Sequence, residues 1–198
     1  MQRNSSFAIT LRASVLERSP AVVGSAVVVS VLLNGAFSWV NTTLSIPLFL
    51  DTMFTCGMGA VFGPVAGAAT GVLTNLFEEV LYGNEGTYWV FGIVNGATGV
   101  IVGVLAVKGL FYSAAHLVIA VLLITLANAV LGATIVVTLF GGTSGIEVDH
   151  IAKGLMLADK SVWWAAFIAR IPTNLVDKAI SVMVGYMFYR AAFVHVRD

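Results

Sequence analysis

Long apolar runs alternate with short polar breaks along the whole chain. Six runs are long enough, or nearly so, to cross a hydrocarbon core of roughly 30 Å, which takes about 20 helical residues. They cover Ala21–Trp39, Pro47–Phe62, Val65–Tyr82, Tyr88–Val107, Tyr112–Phe140 and Ser161–Arg190. The breaks carry helix punctuation. Ser19-Pro20 combines a serine cap with proline at the first helical position. Gly63-Pro64 parts the second run from the third, residues 83–86 form a turn, and Lys108-Gly109 ends the fourth run. Residues 141–160 form the longest polar connection. The pattern predicts an all-α integral membrane protein, a six-transmembrane-helix bundle in one domain over residues 1–198. Its parts are an N-terminal tail (1–20), the bundle (21–190) and a C-terminal tail (191–198).

Composition fits a bilayer as the surroundings: 59% of residues are hydrophobic and 10% charged, against roughly 25% charged in a soluble domain. Ten acidic and ten basic residues cancel, so no electrostatic case exists for nucleic acid as a partner. Residues 1–20 hold Arg3, Arg12, Glu17 and Arg18 without the apolar core of a cleavable signal. The N-terminal arginines, Lys108, Arg190 and Arg197 fall on one side of an even number of spans, which the positive-inside rule makes the cytoplasm. Both termini are therefore expected to be cytoplasmic.

Depth within the runs, counted at about 1.5 Å per residue, separates polar from apolar halves. Asn34, Asp51, Asn75, Glu78, Glu79, Asn95, Asn128, Arg170 and Asn174 all fall between the outer surface and the midplane. The cytoplasmic halves are nearly pure Ala, Gly, Val, Leu and Phe. A channel would need polar lining throughout, and a proton path a relay of carboxyl groups across the core. The asymmetry predicts instead a polar cup open to the outside and closed below, with Asn75, Asn95, Asn128, Arg170 and Asn174 lining one cavity. Asn41, Asp51, Glu78 and Glu79 are further candidates for its wall. The aromatic residues Trp39, Tyr82, Tyr88, Trp89, Trp163 and Trp164 crowd the same rim. They read either as an interfacial belt or as a stacking wall for a flat heterocycle.

Arg170 is too deep to stand unpaired. Its expected partner is Asp51, Glu78 or Glu79, or else a ligand. Asp177 and Lys178 lie deeper and read as structural, with Lys178 snorkelling. Gly59, Gly63, Gly67 and Gly71, and the pairs Gly92/Gly96 and Gly99/Gly103, recur at helix-contact spacing. They suit close packing inside the bundle. Ala21, Gly24 and Ser25 offer a small-residue patch for docking onto another membrane protein.

No chemistry-bearing motif appears. Cys56 is the sole cysteine, and His116, His150 and His195 lie in three separate regions, so neither a disulfide nor a metal site is expected. Phosphate-loop, nucleophile-elbow and H-E-x-x-H patterns are missing. No cofactor and no catalytic residue is expected, and the chain does not read as an enzyme.

Three segments resemble a known family. Ile46-Pro47-Leu48-Phe49-Leu50-Asp51-Thr52 and Gly63-Pro64-Val65-Ala66-Gly67-Ala68-Ala69-Thr70-Gly71 are similar to the second and third helices of the substrate-binding S components of energy-coupling factor (ECF) transporters. Ile171-Pro172-Thr173-Asn174-Leu175-Val176-Asp177-Lys178 is similar to their sixth helix. The resemblance extends over nearly the whole chain. One departure falls in the first helix, where the family often carries alanines four apart and this chain has Ala21 and Ser25. The resemblance implies a subunit in the cell membrane of a prokaryote that captures a vitamin-like small molecule from outside. It implies partners too: an ECF transmembrane coupling subunit and two cytoplasmic ATPase subunits, which would hydrolyse the ATP while the S component topples to release its cargo. Two alternatives remain at this level: a sensor or scaffold of similar fold, and a lipid-modifying enzyme using Glu147, Asp149, His150 and Asp159. The ligand is open. Glu78 and Glu79 beside Trp and Tyr suit a cationic heterocycle such as thiamin, whereas Arg170 with four asparagines suits a neutral or anionic one such as riboflavin.

Overall fold

A computed structural model describes residues 19–83, 87–144 and 149–193. Arg3, Arg12, Glu17, Arg18, Glu147, His195 and Arg197 lie outside the described residues. Those described form helices and connections, with no strand among them.

Helix α1 (Pro20–Thr43) starts where the serine–proline pair predicts, with Ser19 Oγ accepting from Val22 N at 3.3 Å. Its inward face is small or polar and includes Ser30, Asn34, Ser38 and Asn41. Val28, Val29, Leu32 and Trp39 point outward and are exposed. Apolar residues outside and polar residues inside is the arrangement lipid favours, since buried polar groups must find partners within the protein.

The second helix is shorter than its hydropathy predicts. The Pro47–Thr52 stretch is not helical, and α2 runs only over Met53–Phe62. Side chains take the backbone groups that a helix would need. Asn41 Nδ2 donates to Ile46 O at 3.2 Å and Leu48 O at 2.6 Å. Asp177 Oδ1 accepts from Phe49 N at 3.1 Å and Leu50 N at 2.7 Å. Leu50 itself has φ 54°, a conformation incompatible with continuing a right-handed helix. Gly63, at φ 88°, then turns the chain where a side chain would be strained, and Pro64 opens α3 (Pro64–Tyr82).

A 3₁₀ turn (Tyr88–Phe91) leads into α4 (Gly92–Val107), followed by α5 (Ala114–Phe140). The polar connection of residues 141–160 contains a helix that hydropathy did not signal, α6 (Asp149–Leu157). Its Ala152 and Met156, one turn apart, pack with Ala169 and Phe49. The chain closes with α7 (Val162–Phe193), which continues through Pro172.

Three stretches are long and apolar enough to cross a membrane by length and composition: α1, Tyr88–Val107 and α5. Helix α2, at ten residues, is about 15 Å long. Helices α3 and α7 hold charged side chains, but Glu78, Arg170, Asp177 and Lys178 turn inward and are buried. Their outward faces carry exposed Val65, Val80, Met183 and Met187. Average hydropathy therefore understates how apolar their surfaces are.

The spaced glycines pack inside the bundle. A Cβ at Gly67 on α3 would lie 2.7 Å from Gly99 O on α4 and 2.8 Å from Gly59 Cα on α2. The Gly63 turn does not interrupt the series but folds α2 back so that Gly59 meets Gly67. Asn34 joins three helices, donating to Thr55 Oγ1 at 3.0 Å and Thr74 Oγ1 at 3.1 Å and accepting from Phe54 N at 3.0 Å.

One end of the bundle is apolar and filled. Val102 and Ala106 of α4, Ala120 and Ile124 of α5, and Val182, Tyr189 and Phe193 of α7 pack around Phe111. The opposite end, where α1, α3 and α5 finish and α4 and α7 begin, is polar and hollow.

Candidate functional site

The hollow end holds a cavity of about 360 Å³, within the range of small-molecule sites. Asn75, Asn95, Asn128, Arg170 and Asn174 all line it, from four different helices. Asn41, Asp51, Glu78 and Tyr82 complete the set of candidate residues that the fold brings together there.

Its wall is a hydrogen-bonded relay. Asn95 Nδ2 donates to Asp51 Oδ2 at 2.6 Å and to Asn75 Oδ1 at 2.7 Å. Asn75 Nδ2 faces Glu78 Oε2 at 3.4 Å. Tyr82 donates to Ser38 Oγ at 3.0 Å, and Asn128 donates to Thr98 Oγ1 at 3.0 Å. These bonds hold the polar groups of α1, α3, α4 and α5 in fixed orientations, as a preorganised site requires.

Helix α7 supplies the opposite wall through Arg170, Asn174 and Lys178 at steps of four, one face of a helix over about 12 Å. Lys178 does not snorkel. It is 1% exposed and donates to Asp177 Oδ2 at 2.6 Å and Thr52 Oγ1 at 2.8 Å, with Asp51 Oδ1 at 4.0 Å. Asp177 in turn holds the Phe49–Leu50 backbone, so this pair builds the cavity lining. The same-face spacing from Arg170 was the sequence signal for Lys178.

Arg170 finds its partner in the long polar connection of residues 141–160. Its Nη2 lies 3.7 Å from Asp149 Oδ1, and both side chains are buried. Asp51, Glu78 and Glu79 do not pair with it in the structure. Arg170 Nη1 donates to Ala166 O at 3.0 Å. Asp149 also accepts from Ser144 N at 2.5 Å, and Tyr88 donates its hydroxyl proton to Ser144 O. Tyr88, Ser144, Asp149 and Arg170 thus link the 3₁₀ turn, the segment after α5, α6 and α7.

Four candidates lie elsewhere. Trp39 and Trp89 are 54% and 48% exposed and do not line the cavity. Trp163 stacks on Phe167 at 5.2 Å and donates to Thr134 Oγ1 at 3.3 Å, away from the lining. Glu79 accepts from Tyr88 N at 2.7 Å and Trp89 N at 2.9 Å, capping the 3₁₀ turn. Of the rim aromatics, Tyr82 and Tyr88 line the cavity, joined by Phe49 and Phe91. Phe91 stacks on Phe140 at 5.8 Å.

Four buried polar atoms of the lining lack a hydrogen-bond partner among the described residues: Asn41 Oδ1, Asp51 Oδ1, Glu78 Oε1 and Arg170 Nη2. Native interiors leave few such groups. All four belong to residues that line the cavity.

No curated protein and no solved structure matches the chain. A family model described as the substrate-specific component of ECF transporters matches residues 21–189.

Proposed function

Given that the chain belongs to the substrate-specific components of ECF transporters, we propose that it captures a vitamin-like micronutrient from outside the cell in the cavity between α1, α3, α4, α5 and α7. Members of this family are substrate-binding transport subunits that act with ECF coupling and ATPase subunits. The observation that carries the reading is a cavity of about 360 Å³ lined by four residues, Asn41, Asp51, Glu78 and Arg170, that each keep a buried polar atom without a hydrogen bond. The filled apolar end behind it supports capture from one side. In this reading the six spans of a single domain in a prokaryotic cell membrane are α1, the Pro47–Phe62 segment that ends in α2, α3, the Tyr88–Val107 stretch with α4, α5 and α7, with both termini cytoplasmic. Asn41, Asp51, Asn75, Glu78, Tyr82, Asn95, Asn128, Arg170 and Asn174 contact the substrate, while Trp39, Trp89 and Trp163 belong to the interfacial belt. Glu79 orients Tyr88 from behind.

Native mass spectrometry of the gently purified chain is expected to show a retained small molecule. Finding only the bare protein, with no partner ATPase subunits recovered from the same membranes, would count against the proposal. Reporter fusions at either terminus are expected to read cytoplasmic.

Ala21, Gly24 and Ser25 are exposed near the start of α1, and a Cβ at Gly24 would meet nothing within 4 Å. We assign this patch to the coupling subunit. Gly24→Leu is expected to reduce co-purification of the coupling and ATPase subunits while leaving retained ligand unchanged. Normal assembly of this variant would remove the patch from the docking surface.

A further inference from the structure

The cavity amides have their orientations set by what they already bind. Asn41 Nδ2 donates to two backbone carbonyls, Ile46 O at 3.2 Å and Leu48 O at 2.6 Å. Only its oxygen remains uncommitted, and that oxygen has no hydrogen-bond partner among the described residues. Asn95 spends its amide nitrogen on Asp51 Oδ2 and Asn75 Oδ1. That second bond fixes the Asn75 amide so that its nitrogen faces Glu78 Oε2 at 3.4 Å. Donors of the relay are thus consumed within the protein, and acceptors are left over.

The remainder is lopsided. Asn41 Oδ1, Asp51 Oδ1 and Glu78 Oε1 are acceptors, whereas Arg170 Nη2 is the one donor among the unpartnered lining atoms of the described residues. Charge leans the same way. Asp51, Glu78, Asp149 and Asp177 give four buried carboxyl groups at the cavity and its backing, against the two cations Arg170 and Lys178. Lys178 is already held by Asp177 at 2.6 Å, and Arg170 by Asp149 at 3.7 Å. Glu78 has no cation within ion-pair distance among the described residues, although it is 8% exposed. A molecule that displaces water from such a site must replace the bonds water made, and buried carboxyl groups gain most from a charged donor.

Resting on the substrate-site reading above, we propose that the substrate is a donor-rich organic cation on a flat ring, with an amino or amidinium-type nitrogen group at the Glu78, Asp51 and Asn41 side. Its ring lies among Phe91, Tyr88 and Tyr82, and a single acceptor atom meets Arg170. An anionic substrate would set its charge against Glu78 and Asp51 and would leave three acceptors unmatched.

Benzamidine, benzamide and benzoate share one shape and differ in charge and donors, so they test the assignment on the full chain in lipid nanodiscs. Benzamidine is expected to bind about tenfold or more tightly than benzamide, through charge-assisted bonds to the carboxyl groups, with benzoate weakest. Glu78→Gln is expected to remove that advantage for benzamidine and to change benzamide binding little. The wild-type rank order is decisive by itself if the variant does not fold. Tighter binding of benzoate or benzamide overturns the cationic assignment, and so does failure of all three probes to bind. Retention of a small molecule together with the ATPase subunits would in either case leave the substrate-capturing reading intact.

Discussion

Lys178→Met is expected to lower the stability of the detergent-solubilised chain by about 3–5 kcal/mol, the usual cost of leaving buried charges without their partner. Lys178 is the cation that Asp177 and Asp51 share, at 2.6 Å and 4.0 Å, and its ammonium also donates to Thr52 Oγ1 at 2.8 Å. Methionine fills a similar volume, so the loss reports on charge rather than on a cavity. The compensating double variant separates the two causes. In Lys178→Met with Asp177→Asn, the new amide oxygen can still accept from Phe49 N and Leu50 N, which Asp177 Oδ1 binds at 3.1 Å and 2.7 Å. Thermal unfolding should show the double variant regaining at least half of the loss. Equal instability of single and double variants would mean that packing, not charge, holds this corner.

Gly67→Ala is expected to cost about 3 kcal/mol, the upper end of ordinary overpacking. The added methyl would stand 2.7 Å from Gly99 O, 2.8 Å from Gly59 Cα and 2.9 Å from Gly99 Cα. All three neighbours are backbone atoms, so no rotamer change relieves the clash, and α2, α3 and α4 must separate. Gly24→Ala, with nothing within 4 Å of its Cβ, is the matched control and should be nearly neutral. Similar unfolding midpoints for the two variants would contradict close backbone packing at Gly67.

Much of the fold was legible because helix ends announce themselves chemically. Ser19-Pro20, Gly63-Pro64 and Lys108-Gly109 mark real boundaries, and the spaced glycines do meet across helices. The Ile46–Thr52 segment was not legible, since an apolar run looks helical until distant side chains claim its backbone. Asn41 lies close in sequence, but Asp177 is more than a hundred residues away, and no local pattern reveals it. Helix α6 was hidden for a related reason: its few apolar contacts lie within a stretch that averages polar.

Cavity residues divided along a similar line. Counting residues gives depth, and depth alone grouped Asn75, Asn95, Asn128, Arg170 and Asn174 correctly as neighbours of one cavity. Facing is harder to read in helices that are apolar nearly all round, because hydropathic contrast between faces is weak. Trp39, Trp89, Trp163 and Glu79 have the right depth but point elsewhere. Lys178 shares a face with Arg170 and Asn174, so its azimuth places it at the cavity although its depth suggests a structural role. Asp149 shows the reverse case, a loop acid that folding carries inward to meet Arg170.

The packing of Phe111 against Tyr189, with ring centroids 5.8 Å apart, and of Tyr189 against Phe193 at 5.2 Å has a consequence for traffic. Among the described residues it closes the cavity's far end with a floor of packed rings. Opening a passage there would expose several large side chains, each worth about 1.5–3 kcal/mol when buried. A vessel of this kind loads and empties through the same doorway. If the cavity carries cargo as proposed, delivery to the far compartment requires that the doorway itself be presented there, by force applied from outside this chain.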